Sequence, residues 1–298
     1  MRSPSEGQLP GPLLSVRSLG KEFPLYSPGF RRKQIGVLRA VDNVSFDLAP
    51  GESLGLVGES GSGKTTTARC LLRAIAPTTG EVLFRLPDER TVDLARLPER
   101  ELKPIRQHAQ MVFPDPFSSL NPRMTVREIV GEPLVIHRLA RGRELDDRVA
   151  EVLQRVGLRP EHQLRYPNAF SGGQRQRIGI ARAIILRPSL LICDEATSAL
   201  DVAMQAQVLD LLKELQRDFH LTYLFVAHNL DVVRGFCDRV AVMRKGRIVE
   251  VARTTDIFAA PQHPYTRILL SAVPSPDPDV PLNFNVGEDL ARLDAMAP

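Results

Sequence analysis

Several short stretches of the chain are apolar at nearly every position: residues 53–57, 110–113, 190–193 and 222–227. Runs of this length and character predict strands buried on both faces. Residues 13–19 and 44–48 alternate instead, which predicts strands with one wet face. Residues 80–84 predict a further strand after a turn. Residues 239–243 and 247–251 flank a turn at Lys245-Gly246 and predict a hairpin.

Helical spacing of apolar positions marks 66–76, closed by Pro77, then 126–138 and 144–156. It returns from Ser171 to about 186, closed by Pro188, and over 202–219 and 229–236. Residues 257–270 read as mixed helix and turn. Strands that alternate with helices imply a mostly parallel sheet covered on both faces. The helices within about 115–170 read as an insertion into that α/β core. Residues 24–34 predict a loop, and its Arg31-Arg32-Lys33 a solvated basic triplet. Residues 1–12 are rich in Pro, Gly and Ser and predict a disordered N-terminus, ahead of a domain at 13–272. Residues 273–298 form a Pro-rich tail, densest from Pro274 to Pro281.

One loop changes the picture from fold to chemistry. Gly58-Glu59-Ser60-Gly61-Ser62-Gly63-Lys64-Thr65 fits G-x-x-x-x-G-K-[ST], between a predicted strand and a predicted helix. Its glycines let backbone N–H groups converge on a phosphate. The helix N-terminus favours the negative charge. Lys64 is expected to reach the β- and γ-phosphates, and the Thr65 hydroxyl to face Mg²⁺. Ser60, Ser62 and Thr66 belong to the same nucleotide cradle.

Composition adds little. Of 298 residues, 43% are hydrophobic and 25% charged, which suits a large globular core. The net charge of +4 is a mild excess that points only weakly to nucleic acid or an anionic membrane surface. Cys70, Cys193 and Cys237 are far apart and lack metal-ligand spacing, which suits a reducing cytoplasm. No apolar h-region opens the chain, and no run is long enough to span a membrane.

In a phosphate-loop protein, a second apolar strand ending in Asp supplies the Mg²⁺ carboxylate. Asp194 fits, and Glu195 beside it is placed to polarise water. His228 ends another strand, where ligands gather in parallel sheets. Ser171-Gly172-Gly173-Gln174 opens a helix and suits an anion or an ordinary cap equally well.

These motifs stand in one order with Phe170-Ser171-Gly172-Gly173-Gln174-Arg175-Gln176-Arg177 and Ser198-Ala199-Leu200-Asp201. Together they resemble the nucleotide-binding subunit of an ATP-binding cassette (ABC) transporter, over nearly all of 13–272. Asp115-Pro116-Phe117-Ser118-Ser119-Leu120-Asn121-Pro122, Arg165-Tyr166-Pro167 and His263-Pro264-Tyr265-Thr266 narrow the likeness to oligopeptide/dipeptide importer ATPases, second-subunit type.

The resemblance implies an α/β, phosphate-loop (RecA-like) core with an N-terminal antiparallel β-subdomain and a helical insertion. It implies ATP and Mg²⁺, with Phe23 stacking on adenine. Ser171, Gly172, Gly173 and Gln174 would meet the γ-phosphate held by a partner ATPase, and Asp201 would cross the dimer. Glu195 would be the catalytic base, and His228 the γ-phosphate sensor. Expected partners are transmembrane permease subunits, a second ABC ATPase (a paralogue or a second copy) and, indirectly, a solute-binding protein, with no nucleic acid. The expected location is peripheral, on the cytoplasmic face of the cell membrane. The alternatives are a soluble ABC ATPase acting on ribosomes or DNA, and a non-hydrolysing regulatory subunit. The first usually carries two cassettes or a long coiled-coil or zinc insertion, and the sequence shows neither.

The chain departs from the family pattern at Pro114, where relatives carry Gln. Proline has no side-chain amide to reach Mg²⁺ or water. Asp115 or a water is the replacement the sequence leaves open. No cysteine follows Cys237, so no C-terminal iron–sulfur cluster is expected.

Overall fold

Two sheets face each other, and the apolar runs of the sequence lie between and behind them. A computed structural model of the chain describes residues 11–28, 33–272 and 286–295. The predicted disorder at 1–12 falls almost wholly outside these residues, as do Arg31, Arg32 and the Pro274–Pro281 stretch.

The first sheet is antiparallel, in the order β2-β1-β4-β5. Its strands are β1 (Leu14–Tyr26), β2 (Gln34–Leu48), β4 (Thr79–Arg85) and β5 (Thr91–Asp93). The second has the order β10-β9-β3-β8-β7-β6. It contains β3 (Ser53–Val57), β6 (Ala109–Val112), β7 (Leu190–Asp194), β8 (Thr222–Ala227), β9 (Arg239–Arg244) and β10 (Arg247–Arg253). All pairings in it are parallel except the β9–β10 hairpin.

Period-two geometry lets the central strands feed two cores at once. Leu190, Ile192, Leu224 and Val226 face the first sheet, where they meet Leu14, Val16, Val44 and Phe84. Leu191, Cys193, Tyr223 and Phe225 face the helices on the other side. All three cysteines are buried within these cores. Burial pushes the Cys70 thiol up to about 11 and raises the other two further, so they pack rather than react.

The helices are α1 (Lys64–Leu71), α2 (Glu99–Ile105), α3 (Val126–Ile136), α4 (Gly142–Arg155), α5 (Gly172–Ile184), α6 (Val202–Phe219), α7 (Leu230–Phe236), α8 (Thr254–Ala259), α9 (Pro264–Ser271) and α10 (Val286–Ala295). The α3 and α4 helices stand between β6 and α5, where the sequence places a helical insertion. Thr125 and Glu128 cap α3 with a reciprocal capping box. No described helix is long and apolar enough to cross a membrane.

Three expectations need correction. The loop predicted at 24–34 is shorter, because β1 continues to Tyr26 and β2 begins at Gln34. The α1 helix ends at Leu71, not at residue 76. Arg73 takes the left-handed conformation, with φ 54°. The Arg73 N–H donates to the Cys70 carbonyl at 3.0 Å and the Ala74 N–H to that of Arg69 at 2.9 Å, the backbone pair that closes a helix at a left-handed residue. In the tail, α10 lies where only a Pro-rich stretch was expected.

Candidate functional site

Most of the expected site residues gather where β3, β7 and β8 end. β3 delivers the chain directly into the 58–65 loop. Gly58 and Gly63 have φ of 152° and 104°. A Cβ at Gly58 would lie 2.0 Å from the Met243 carbonyl oxygen, and one at Gly63 2.3 Å from that of Ala40. The loop is therefore pressed against the backbones of β9 and β2. The Gly246 N–H in the β9–β10 turn donates to the Ser62 carbonyl at 2.9 Å and holds it from a third side.

Lys64 begins α1 and is buried. Its ammonium donates to the carbonyls of Gly58 and Glu59, both at 2.8 Å. Burial lowers its pKa, opposed by the charges of Glu195, Asp194 and Glu59. The Glu59 N–H donates to the Tyr265 hydroxyl at 3.0 Å.

Asp194, at the end of β7, is wholly buried. The Thr65 hydroxyl donates to its Oδ1 at 3.0 Å, and its Oδ2 has no partner among the described residues. Burial raises its pKa, and the Thr65 hydrogen bond opposes that. An orphaned carboxylate oxygen beside a hydroxyl is a hard-oxygen donor set that suits Mg²⁺. Glu195 follows with φ 48°, a conformation uncommon for a side chain of its size. Its N–H donates to the Val226 carbonyl at 2.9 Å, which turns the carboxylate toward β8. There Oε2 lies 3.4 Å from His228 Nδ1.

The remaining expected residues stand apart from this cluster. Ser171 and Gln174 form a reciprocal capping box at the start of α5. Gly172 adjoins Phe117, over whose ring the Arg175 guanidinium lies at 4.6 Å. Asp201 caps α6 by accepting from the Met204 N–H at 2.9 Å. Among the described residues, no hydrogen bond or ion pair joins Ser171–Gln174 to the 58–65 loop. Phe23 lies half-buried on β1, with the Lys21 ammonium 4.9 Å from its ring centre. The sequence carried no signal for three of the supports: the Met243 and Ala40 carbonyls and the Tyr265 hydroxyl.

Pro114 follows the end of β6, beside β7. The two polar side chains nearest in sequence are each engaged with backbone groups. The Asp115 carboxylate accepts from the N–H groups of Phe117 and Ser118 at 2.8 and 3.2 Å, which lowers its pKa. Gln110 turns away and donates to the Arg106 carbonyl at 2.6 Å.

Residues 41–198 match the family described as ABC transporter, and residues 249–292 match that described as oligopeptide/dipeptide transporter, C-terminal region. The oligopeptide transport ATP-binding protein AppF of Bacillus subtilis is 51% identical, over 88% of this chain and 78% of its own. The glutathione import ATP-binding protein GsiA of Salmonella choleraesuis is also 51% identical, over 90% of this chain and 42% of its own. Among solved structures, the dimeric post-hydrolysis state of the ATP-binding cassette MJ0796 bound to ADP and Pi superposes with a TM-score of 0.69. It is 28% identical, over 81% of this chain and 98% of that one. The cluster of strand ends thus coincides with a cassette whose relatives bind ATP, and the chain belongs to the ABC transporter family as one of its ATPases, in the oligopeptide/dipeptide group.

Proposed function

We propose that the chain is the ATP-hydrolysing motor of an importer for peptides or similar small solutes. The single observation that carries this is the meeting of Lys64, Thr65, Asp194, Glu195 and His228 at the ends of β3, β7 and β8. The loop amides and Lys64 hold the phosphates. To reach them, the Lys64 ammonium exchanges its two carbonyl partners for phosphate oxygens. Thr65 and Asp194 are the residues that would hold Mg²⁺, which would supply charge neutralisation for the phosphoryl transfer. The Glu195 carboxylate accepts a proton from water as its oxygen attacks the γ-phosphorus. The bond to the bridging oxygen breaks, releasing ADP and phosphate. His228 stands beside that carboxylate, 3.4 Å from it, and is the γ-phosphate sensor.

Ser171–Gln174 and Asp201 are assigned to a second subunit's nucleotide. Their separation from Lys64 within one chain supports this, as does the dimer seen for MJ0796. The partners are permease subunits, a second ATPase and indirectly a solute-binding protein, with the chain peripheral on the cytoplasmic membrane face. The test is reconstitution with permease subunits in vesicles. Peptide uptake that requires internal ATP is expected. ATP turnover that never responds to permease or solute-binding protein overturns the reading.

Two further outcomes are expected. Asp194→Asn removes a buried charge, so the nucleotide-free chain melts on the order of 2 °C higher, while Mg²⁺-dependent turnover is lost. The sign follows from the raised pKa. The native state holds the Asp194 proton longer than the unfolded chain does. Stability is therefore full below the ordinary carboxylate pKa and falls as pH rises toward the raised one. The difference in melting temperature between parent and variant should widen across that window. Pro114→Gln should raise turnover about fivefold, the worth of one added hydrogen bond in the transition state. Unchanged phosphate release and unchanged transport would show that position 114 is silent.

A further inference from the structure

The C-terminal region reaches into the ATP site through one side chain. Tyr265 lies on the first turn of α9, more than two hundred residues from the phosphate loop in sequence, yet it is wholly buried. Its hydroxyl accepts the Glu59 N–H at 3.0 Å. The carbonyl of Glu59 is one of the two that hold the Lys64 ammonium. Glu59 is thus gripped at both ends, by Tyr265 on its N–H and by Lys64 on its oxygen.

The tyrosine is itself held from three directions. The Glu250 carboxylate on β10 accepts the N–H groups of Gln262 and His263, at 2.8 and 3.0 Å, and pins the chain entering α9. His263 Nδ1 then accepts the Tyr265 N–H at 3.1 Å. The Arg244 guanidinium lies 5.0 Å from the phenol ring centre and also donates to the Leu290 carbonyl of α10 at 3.4 Å. Both terminal helices therefore bear on the residue that backs the loop.

We infer that Tyr265 is a positioning residue for ATP, through which the C-terminal region sets nucleotide affinity by fixing the Glu59 peptide. The physical reason is preorganisation. A glycine-rich loop loses conformational entropy when it closes on phosphate, and a buried hydrogen bond to its second residue removes part of that cost beforehand. The hydroxyl acts on the resting loop and not on the transition state, so affinity should change and the chemical step should not. The inference rests on the proposed assignment of residues 58–65 to the phosphates.

Tyr265→Phe keeps the ring and deletes only the hydroxyl. In the full chain, the Kd for ATP and the KM of Mg²⁺-dependent hydrolysis should both rise about fivefold, the equivalent of one hydrogen bond. At saturating ATP, kcat should stay within about twofold. A purely structural role predicts the reverse, a smaller active fraction with lower kcat and unaltered KM, and that result overturns the inference. So does an unaltered Kd in a folded variant. Lys64→Ala, run beside it, separates the two layers: if it too leaves ATP affinity intact, the loop assignment has failed and not merely the role of Tyr265. Should Tyr265→Phe not fold, amide hydrogen exchange in the unaltered, nucleotide-free chain decides. The Glu59 amide is expected to be protected, and exchange as fast as in an open loop overturns the proposal.

Discussion

Glu195→Gln should lower ATP turnover by a factor of about 10²–10⁴, the usual worth of a positioned general base. Binding of ATP should stay within about twofold. The change keeps size and shape, so it tests chemistry and not packing. The backbone at 195, with φ 48°, is held by the Glu195 N–H donating to Val226, a bond that a glutamine retains. The amide cannot accept the proton of the attacking water, so bound ATP persists. If Ser171–Gln174 of a second subunit close over it, an ATP-dependent dimer should accumulate and be visible by size-exclusion chromatography. Phosphate release is the primary readout. Turnover near that of the parent would remove Glu195 from the mechanism and return attention to His228, 3.4 Å away. Nucleotide binding without turnover in the parent itself would instead point to a missing companion ATPase.

The parts of this site that were legible in the sequence are those that local chemistry dictates. Residues 53–57, 190–193 and 222–227 read as buried strands because both of their faces are covered, by the first sheet on one side and by helices on the other. The hairpin around Lys245-Gly246 was equally plain. The β1–β2 ribbon was legible only in part, at 13–19 and 44–48. Its pairing register shifts repeatedly, and Ser18 and Asn43 sit at φ 47° and 54°. Each irregularity breaks the alternation that marks a strand, so only 44–48 of β2 keeps it. The α2 helix was missed because Leu102 is its one buried residue and Pro104 interrupts it. At the site, Gly58–Thr65 and Asp194-Glu195 were readable as motifs. The pairing of Thr65 with Asp194 spans 129 residues and needed the fold to appear. Tyr265 stood in a recognisable motif, but nothing in that motif said that its hydroxyl would meet the phosphate loop.

Gly63→Ala should abolish ATP binding in the millimolar range, a larger effect than an alanine usually produces. Two costs coincide at this residue. The first is conformational: φ of 104° with ψ of 3° lies in a region that L side chains rarely adopt, which costs on the order of 1–2 kcal/mol. The second is steric: the new methyl carbon would sit 2.3 Å from the Ala40 carbonyl oxygen. That oxygen belongs to the backbone of β2 and cannot swing away as a side-chain tip could. The loop must move instead, and Gly63 immediately precedes Lys64, so α1 and the ammonium move with it. Gly61→Ala is the control. It also has positive φ, 80°, but a methyl there would meet none of the described residues within 4 Å. Its cost is conformational alone, so ATP affinity should fall only about tenfold. A fluorescent ATP analogue titrated into both variants separates the two contributions. Equal losses would mean that backbone freedom, and not the approach of β2, is what the glycine at 63 provides.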